Sequence, residues 1–173
     1  TAIVTEALAT REKAGLYDES SFSKIEIKGT GAAAYLEHLC SNKINKGPGH
    51  VTYTQMLNEH GGIESDVTVK QINADTFRMI SGTALHTHDI AWLTDHLPAD
   101  GSVELKDITA ALTCFGLWGP LSREILSTLT PQDLSTAAMP FLTMRETTLG
   151  DFTVQLVRVT FVGELGYEIY APA

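Results

Sequence analysis

Val51-Thr52-Tyr53-Thr54-Gln55-Met56-Leu57-Asn58 and Ile63-Glu64-Ser65-Asp66-Val67-Thr68-Val69-Lys70-Gln71-Ile72, joined by Glu59-His60-Gly61-Gly62, decide the architecture. Both runs are rich in β-branched and aromatic residues, and a glycine-containing turn separates them, so they predict a β-hairpin. Alternation in the second run sets Glu64, Asp66 and Thr68 on one face and Val67 and Val69 on the other. A hairpin pairs its strands antiparallel. Other hairpins recur along the chain, and the expected class is α+β, with antiparallel sheets and helices on one face.

Working outward from the hairpin, residues 4–14 predict a short helix that Gly15 stops, and Ser23 to Lys28 alternates as a strand with one wet face. Gly29-Thr30-Gly31 turns into a helix carrying Ala34, Tyr35, Leu36 and Leu39 near i, i+3, i+4 spacing. Lys46 to Gly49 is a loop. Asn73-Ala74-Asp75 turns into a strand over Thr76 to Ser81, and a helix over 84–97 ends at Pro98. Strands at 103–107 and 111–118 lead to Gly119-Pro120, which opens a helix from Leu121 to Leu129. Thr130-Pro131-Gln132-Asp133 reads as a second capped helical turn. Strands at 142–148 and 152–160 flank a hairpin turn at Gly150-Asp151. The order strand, glycine turn, helix thus recurs after Gly29 and after Gly119, which suggests two related α+β units.

The terminal segment Thr160-Phe161-Val162-Gly163-Glu164-Leu165-Gly166-Tyr167-Glu168-Ile169-Tyr170 is the most demanding chemically. Two glycines break a run of strand-forming residues, so the backbone turns sharply there. Glu164 and Glu168 sit in otherwise apolar surroundings. A carboxylate among strand residues is costly to bury without a partner, and that points to a ligand or a cation.

Composition narrows the classes of function. The 173 residues suffice for one ordinary domain or two small ones, and 43% hydrophobic with 19% charged residues is a globular composition. The formal charge of −9, without a Lys/Arg cluster, argues against nucleic acid or an anionic membrane as partner. No apolar run approaches a membrane span, and no signal peptide opens the chain. Cys40 and Cys114 lack metal or redox spacing and read as buried free thiols in a reducing compartment, which gives a cytoplasmic expectation, or the mitochondrial matrix in a eukaryote. Thr1 in place of a start Met, and an end just past a strand, suggest a piece of something longer.

Two motifs lose their chemistry on inspection. Gly29-Thr30-Gly31-Ala32-Ala33-Ala34 formally matches a dinucleotide turn. However, Lys24, Glu26 and Lys28 wet the preceding strand, and no acid follows the next one at ribose distance, so a plain strand–helix turn is expected. His86 and His88 point apart on a helix and cannot share one metal. Asp66 is a stronger candidate for chemistry. Tyr53 and Met56 on the neighbouring strand would suit a flat heteroaromatic ligand, and would equally suit core packing.

Three segments taken together resemble the folate-binding aminomethyltransferase family, which contains the glycine-cleavage T-protein. They are Tyr53 to Asn58 with Gly61 to Asp66, Cys114-Phe115-Gly116-Leu117-Trp118-Gly119-Pro120, and Phe161 to Glu168. The second and third look most like the C-terminal half of sarcosine and dimethylglycine dehydrogenases. The resemblance implies a tetrahydrofolate site, with Glu168 as the pterin anchor and Asp66 as base or electrostatic partner. Tyr53, Met56 and Phe161 would be packing walls. It implies two intertwined subdomains within residues 1–173, with a C-terminal β-barrel lying outside, and FAD only in a separate N-terminal domain or partner chain. The implied reaction moves a one-carbon unit from a small methylated amine or imine to folate. Alternatives on the same fold are a non-catalytic regulatory module and a folate-dependent demethylase. Phe161 and Gly82 stand where the family commonly has Tyr and Asn, so two polar groups are replaced.

Overall fold

The computed structural model describes residues 1–173. In chain order the elements are α1 (Ala2–Glu12), β1 (Gly15–Asp18), β2 (Ser23–Lys28), α2 (Ala32–Leu39), β3 (Val51–Leu57), β4 (Ile63–Gln71), β5 (Thr76–Ser81) and α3 (His86–Asp95), which a short 3-10 turn precedes. They continue with β6 (Glu104–Asp107), β7 (Leu112–Trp118), α4 (Ser122–Ser127), β8 (Thr143–Leu149), β9 (Phe152–Arg158) and β10 (Gly166–Pro172). The chain forms two compact units, one of Thr1–Ser21 with Ala110–Ala173, the other of Phe22–Thr109. The second unit is inserted in the sequence of the first.

The inserted unit is a five-stranded antiparallel sheet in the order β3-β4-β5-β2-β6. Its apolar face carries Ile25, Ile27, Met56, Val67, Val69, Phe77 and Met79, against which Leu36 and Leu39 of α2 and Leu93 of α3 pack. α2 buries Ala32, Tyr35, Leu36 and Leu39, the i, i+3, i+4, i+7 stripe of an amphipathic helix. Each such large side chain contributes about 1.5–3 kcal/mol when fully buried. The Tyr35 hydroxyl, which the core would otherwise strand, donates to the Leu93 carbonyl at 2.5 Å and ties α2 to α3. The ends of this unit are adjacent: β2 pairs with β6, and the Lys24 amide donates to Thr109 Oγ1 at 3.0 Å.

The other unit is a second five-stranded antiparallel sheet, β1-β7-β10-β9-β8. Leu117, Leu156 and Tyr167 form its apolar face with Leu126 of α4 and with Leu134 and Met139. The expected helical turn at Thr130–Asp133 does not form. Thr130 Oγ1 accepts the Gln132 amide and Asp133 Oδ1 accepts the Ser135 amide, so side chains satisfy the backbone in turns rather than in a helix. The strand Gly15–Asp18 was not anticipated. The helix of 121–129 is shorter than expected, at Ser122–Ser127.

The recurrence expected from the sequence extends to whole sheets. Written from the other edge, the second sheet reads β8-β9-β10-β7-β1, the counterpart of β3-β4-β5-β2-β6. Gly29 ends β2 at φ 127° and Gly119 ends β7 at φ 128°. A side chain at Gly29 would run into the Ser102 carbonyl, and one at Gly119 would come within 2.5 Å of the Lys13 carbonyl. Only glycine meets both conditions, a left-handed backbone and a close approach. The Gly29-Thr30-Gly31 turn therefore serves packing, with the Gly31 amide donating to that same Ser102 carbonyl at 3.1 Å.

Candidate functional site

Asp66 lies on β4 of the inserted unit, where Glu64, Asp66 and Thr68 are more exposed than their neighbours Ser65, Val67 and Val69. Register sets Gln55 opposite Asp66 and Tyr53 opposite Thr68, so Tyr53 and Gln55 share the face of Asp66. The Tyr53 hydroxyl donates to Asp66 Oδ2 at 2.8 Å, and the Gln55 amide donates to Oδ1 at 3.2 Å. Both oxygens are thus oriented while the carboxylate stays open to solvent. Accepting the phenol proton, Asp66 holds the Tyr53 hydroxyl above its usual range. Met56 is not part of this surface. Its position, one residue from Gln55, turns it to the opposite face, where it is 0% exposed among Ile25, Val67 and Met79.

Glu168 lies on β10 of the other unit, in register with Gly116 of β7. Strand alternation gives Glu168 and Tyr170 the same face as Cys114, Gly116 and Trp118, away from the apolar face with Tyr167 and Ile169. The Tyr170 hydroxyl donates to Glu168 Oε2 at 2.6 Å. Trp118 turns its ring over two glycines: a side chain at Gly116 would come within 2.6 Å of it, and one at Gly166 would collide with it. Gly166 therefore serves close approach, and the sharp turn belongs to Gly163 at φ 85°. On β9, Gln155 stands opposite Tyr170, and its side-chain oxygen is buried without a hydrogen-bond partner. That acceptor and the Glu168 carboxylate suit a ligand edge that offers N–H donors.

Sequence reasoning missed Glu19, which follows β1. Its amide donates to the Cys114 carbonyl at 2.9 Å, and Cys114 Sγ lies 4.0 Å from Glu19 Oε2. Burial first, and then the negative charge of Glu168, push the Glu19 carboxyl up to about 7, against an opposing hydrogen bond from Trp118. Burial and the charge of Glu168 likewise raise the Tyr170 phenol well above its usual range. Glu164, by contrast, belongs to the turn and pairs with Arg11 at 2.8 Å. Phe161 is 88% exposed in that turn.

His86 and His88 take separate partners. His86 bonds Ser23 Oγ at 2.8 Å and lies 3.3 Å from Asp107, while His88 lies 3.2 Å from Glu64. Cys40 and Cys114 are buried free thiols, and burial pushes Cys40 up to about 12. No helix is long and apolar enough to cross a membrane.

The family model described as the GCVT N-terminal domain matches residues 1–173. The chain belongs to this family. The GCVT N-terminal domain seen here is 35% identical over 172 residues to an aminomethyltransferase of Geobacillus thermodenitrificans, covering 99% of this chain and 46% of that protein. It is 34% identical over 160 residues to the mitochondrial dimethylglycine dehydrogenase of Rattus norvegicus, covering 92% of this chain and 19% of that protein. Its fold matches the crystal structure of the glycine cleavage system aminomethyltransferase T from Bartonella henselae with a TM-score of 0.83 at 24% identity, over 98% of this chain and 45% of that one. The chain therefore spans less than half the length of each of these. The resemblance carried by the three motifs is borne out at the level of family and fold, including the α+β class with antiparallel sheets.

Proposed function

We propose that this GCVT N-terminal domain binds tetrahydrofolate and takes part in moving a one-carbon unit to it from a small methylated amine or imine. The observation that carries the reading is Glu168: a carboxylate on a sheet face, opposite a glycine that brings no side chain, beside a buried acceptor on Gln155. The aminopyrimidinone edge of a pterin offers adjacent N–H donors, which a carboxylate accepts in a bidentate pair. Tetrahydrofolate, when bound, supplies the nucleophilic nitrogens that receive the carbon.

The chain's own residues have narrower roles. Glu168 holds and orients the donor edge, and Tyr170 fixes the carboxylate through its hydroxyl. Asp66, with both oxygens oriented by Tyr53 and Gln55, is suited to take a proton from an amine or to stabilise a cationic carbon donor. Tyr53 is a positioning residue for Asp66. Phe161, at 88% exposure, is free to cover a ligand as a ring without a hydroxyl. FAD, if the intact protein uses it, belongs to another domain or chain.

Calorimetric titration of the intact protein with tetrahydrofolate tests the reading. Binding that Glu168→Ala weakens about 10- to 100-fold is expected, the worth of a charge-assisted pair. Absence of binding, or an unchanged affinity in the variant, overturns the assignment.

A further inference from the structure

Glu19 and Glu168 are two carboxylates joined by a chain of polar groups on one sheet face. Cys114 Sγ lies 4.0 Å from Glu19 Oε2, the Cys114 and Tyr170 side chains are hydrogen-bonded, and Tyr170 Oη lies 2.6 Å from Glu168 Oε2. The Trp118 indole N–H completes the setting of Glu19. Glu168 of β10 and Trp118 of β7 act on Glu19 directly, and Cys114 and Tyr170 lie between the two acids. Tyr17 of β1 shares this face by its register with Gly116, whereas Asp18, opposite Phe115, turns to the other face. Asp18 is engaged by the Ser20 amide at 2.9 Å, and Tyr17 by Thr10 Oγ1 at 2.5 Å.

Two anions sharing such a face can be tolerated while water reaches them. A ligand laid over Glu168 displaces that water, which strengthens the repulsion between the carboxylates and the desolvation of both. The N–H donors of a neutral ligand edge stabilise one negative charge, and they gather it on Glu168. The second carboxyl then has to be neutral. As an acid it can still accept the Trp118 N–H through its carbonyl oxygen.

We propose that Glu19 is a positioning residue acting through Glu168, and that it must carry a proton for the Glu168 face to receive its ligand. This rests on the folate reading above. The free protein is already poised for the exchange, because burial and the charge of Glu168 push the Glu19 carboxyl up to about 7. Ligand binding above that pH draws a proton from solution, and affinity falls as pH rises.

The test is calorimetric titration of the intact protein with tetrahydrofolate between pH 6 and 8.5, in buffers of differing ionisation enthalpy. For the wild type, Kd is expected to rise toward about tenfold per pH unit above neutrality, with uptake approaching one proton per ligand. Glu19→Gln, which keeps a neutral polar group in place, is expected to give a flat profile without proton uptake. A flat wild-type profile, or an unchanged slope in Glu19→Gln, overturns the proposal. The wild-type proton count decides the matter even if the variant fails to fold. Binding lost in Glu168→Ala with a pH-independent wild type would sink the role of Glu19 alone. Absence of tetrahydrofolate binding throughout would sink the folate reading with it.

Discussion

Glu168 stands opposite Gly116 in the same register position where the inserted unit sets Arg78 opposite Glu26. The correspondence follows from the turn glycines, since Glu26 lies three residues before Gly29 and Gly116 three before Gly119. In the inserted unit the pair closes on itself: Arg78 Nε lies 3.0 Å from Glu26, and Lys28 lies 2.9 Å away on the other oxygen. In the other unit the position across from the acid carries no side chain. One copy of the architecture thus pairs its acid with cations of the sheet, and the other sets only Gly116 and Val157 across from its acid, which accepts the Tyr170 hydroxyl.

Gly116→Ala should reveal how tightly the Glu168 face is built. Its new methyl group would lie 2.6 Å from the Trp118 ring, so the ring must move or the strands must part. Overpacking of this kind costs about 1–3 kcal/mol, measurable as a lower denaturant midpoint at constant m. An unchanged midpoint would mean that Trp118 is not held over the glycine.

Glu19 links stability to pH. Its folded-state value is raised from 4.5 to about 7, so the stability it contributes is full below 4.5 and is lost as pH rises through about 7. That rise corresponds to about 3 kcal/mol, which solvent access to a half-buried group reduces to about 1–2 kcal/mol. Glu19→Gln should therefore be the more stable protein at pH 8 and lose that advantage toward pH 4, by thermal or urea unfolding. The opposite trend would show that Glu19 is not held neutral.

Glu26 behaves in the reverse sense. Burial works against its charge, but hydrogen bonds from Lys28 and Arg78 outweigh burial and hold it below the usual 4.5. Its contribution is present above 4.5 and is lost as pH falls through the lower folded value. Arg78→Met should cost about 3 kcal/mol near neutrality, the low end for breaking a buried pair because Lys28 remains. The loss should shrink in acid. A pH-independent cost would point to lost packing of the arginine stem instead.

Tyr53→Phe removes one of the two donors that orient Asp66. Because Tyr53 is 53% exposed, folding stability should change by less than about 0.5 kcal/mol. If Asp66 acts in one-carbon transfer, kcat should fall about five- to tenfold, the worth of one hydrogen bond, with tetrahydrofolate affinity unchanged. Equal losses in kcat and affinity would place Tyr53 in ligand binding instead.

Much of this was legible in the sequence, for identifiable reasons. The hairpin of β3 and β4 announced itself because alternation and a glycine turn agreed. Gly29 and Gly119 were visible as turn makers because each follows a strand and precedes a helix. The placement of Met56 failed where strict period-two counting would have succeeded: Tyr53 and Gln55 share a face with Asp66, and Met56 cannot. β1 escaped because it is short and mostly exposed, with no wet–dry alternation to mark it. Glu19 escaped with it. In sequence it is one acid in a polar loop, and its significance comes from Cys114, Trp118 and Glu168, residues that strand pairing alone brings near.

The adjacency of β2 and β6 bears on how the chain reaches its native state. Once residues 22–109 have folded, their two ends lie side by side, so the remaining unit meets them as though they were a loop of a few residues. The entropy of closing a long excursion is then charged to the inserted unit, whose own contacts offset it. Thr1–Ser21 is made before the insertion, yet β1 finds its partner β7 only after the whole insertion has been made. A segment made before the insertion thus acquires its native neighbours only after it, and Glu19 travels with it. The proton-responsive part of the proposed site is completed only when the fold closes.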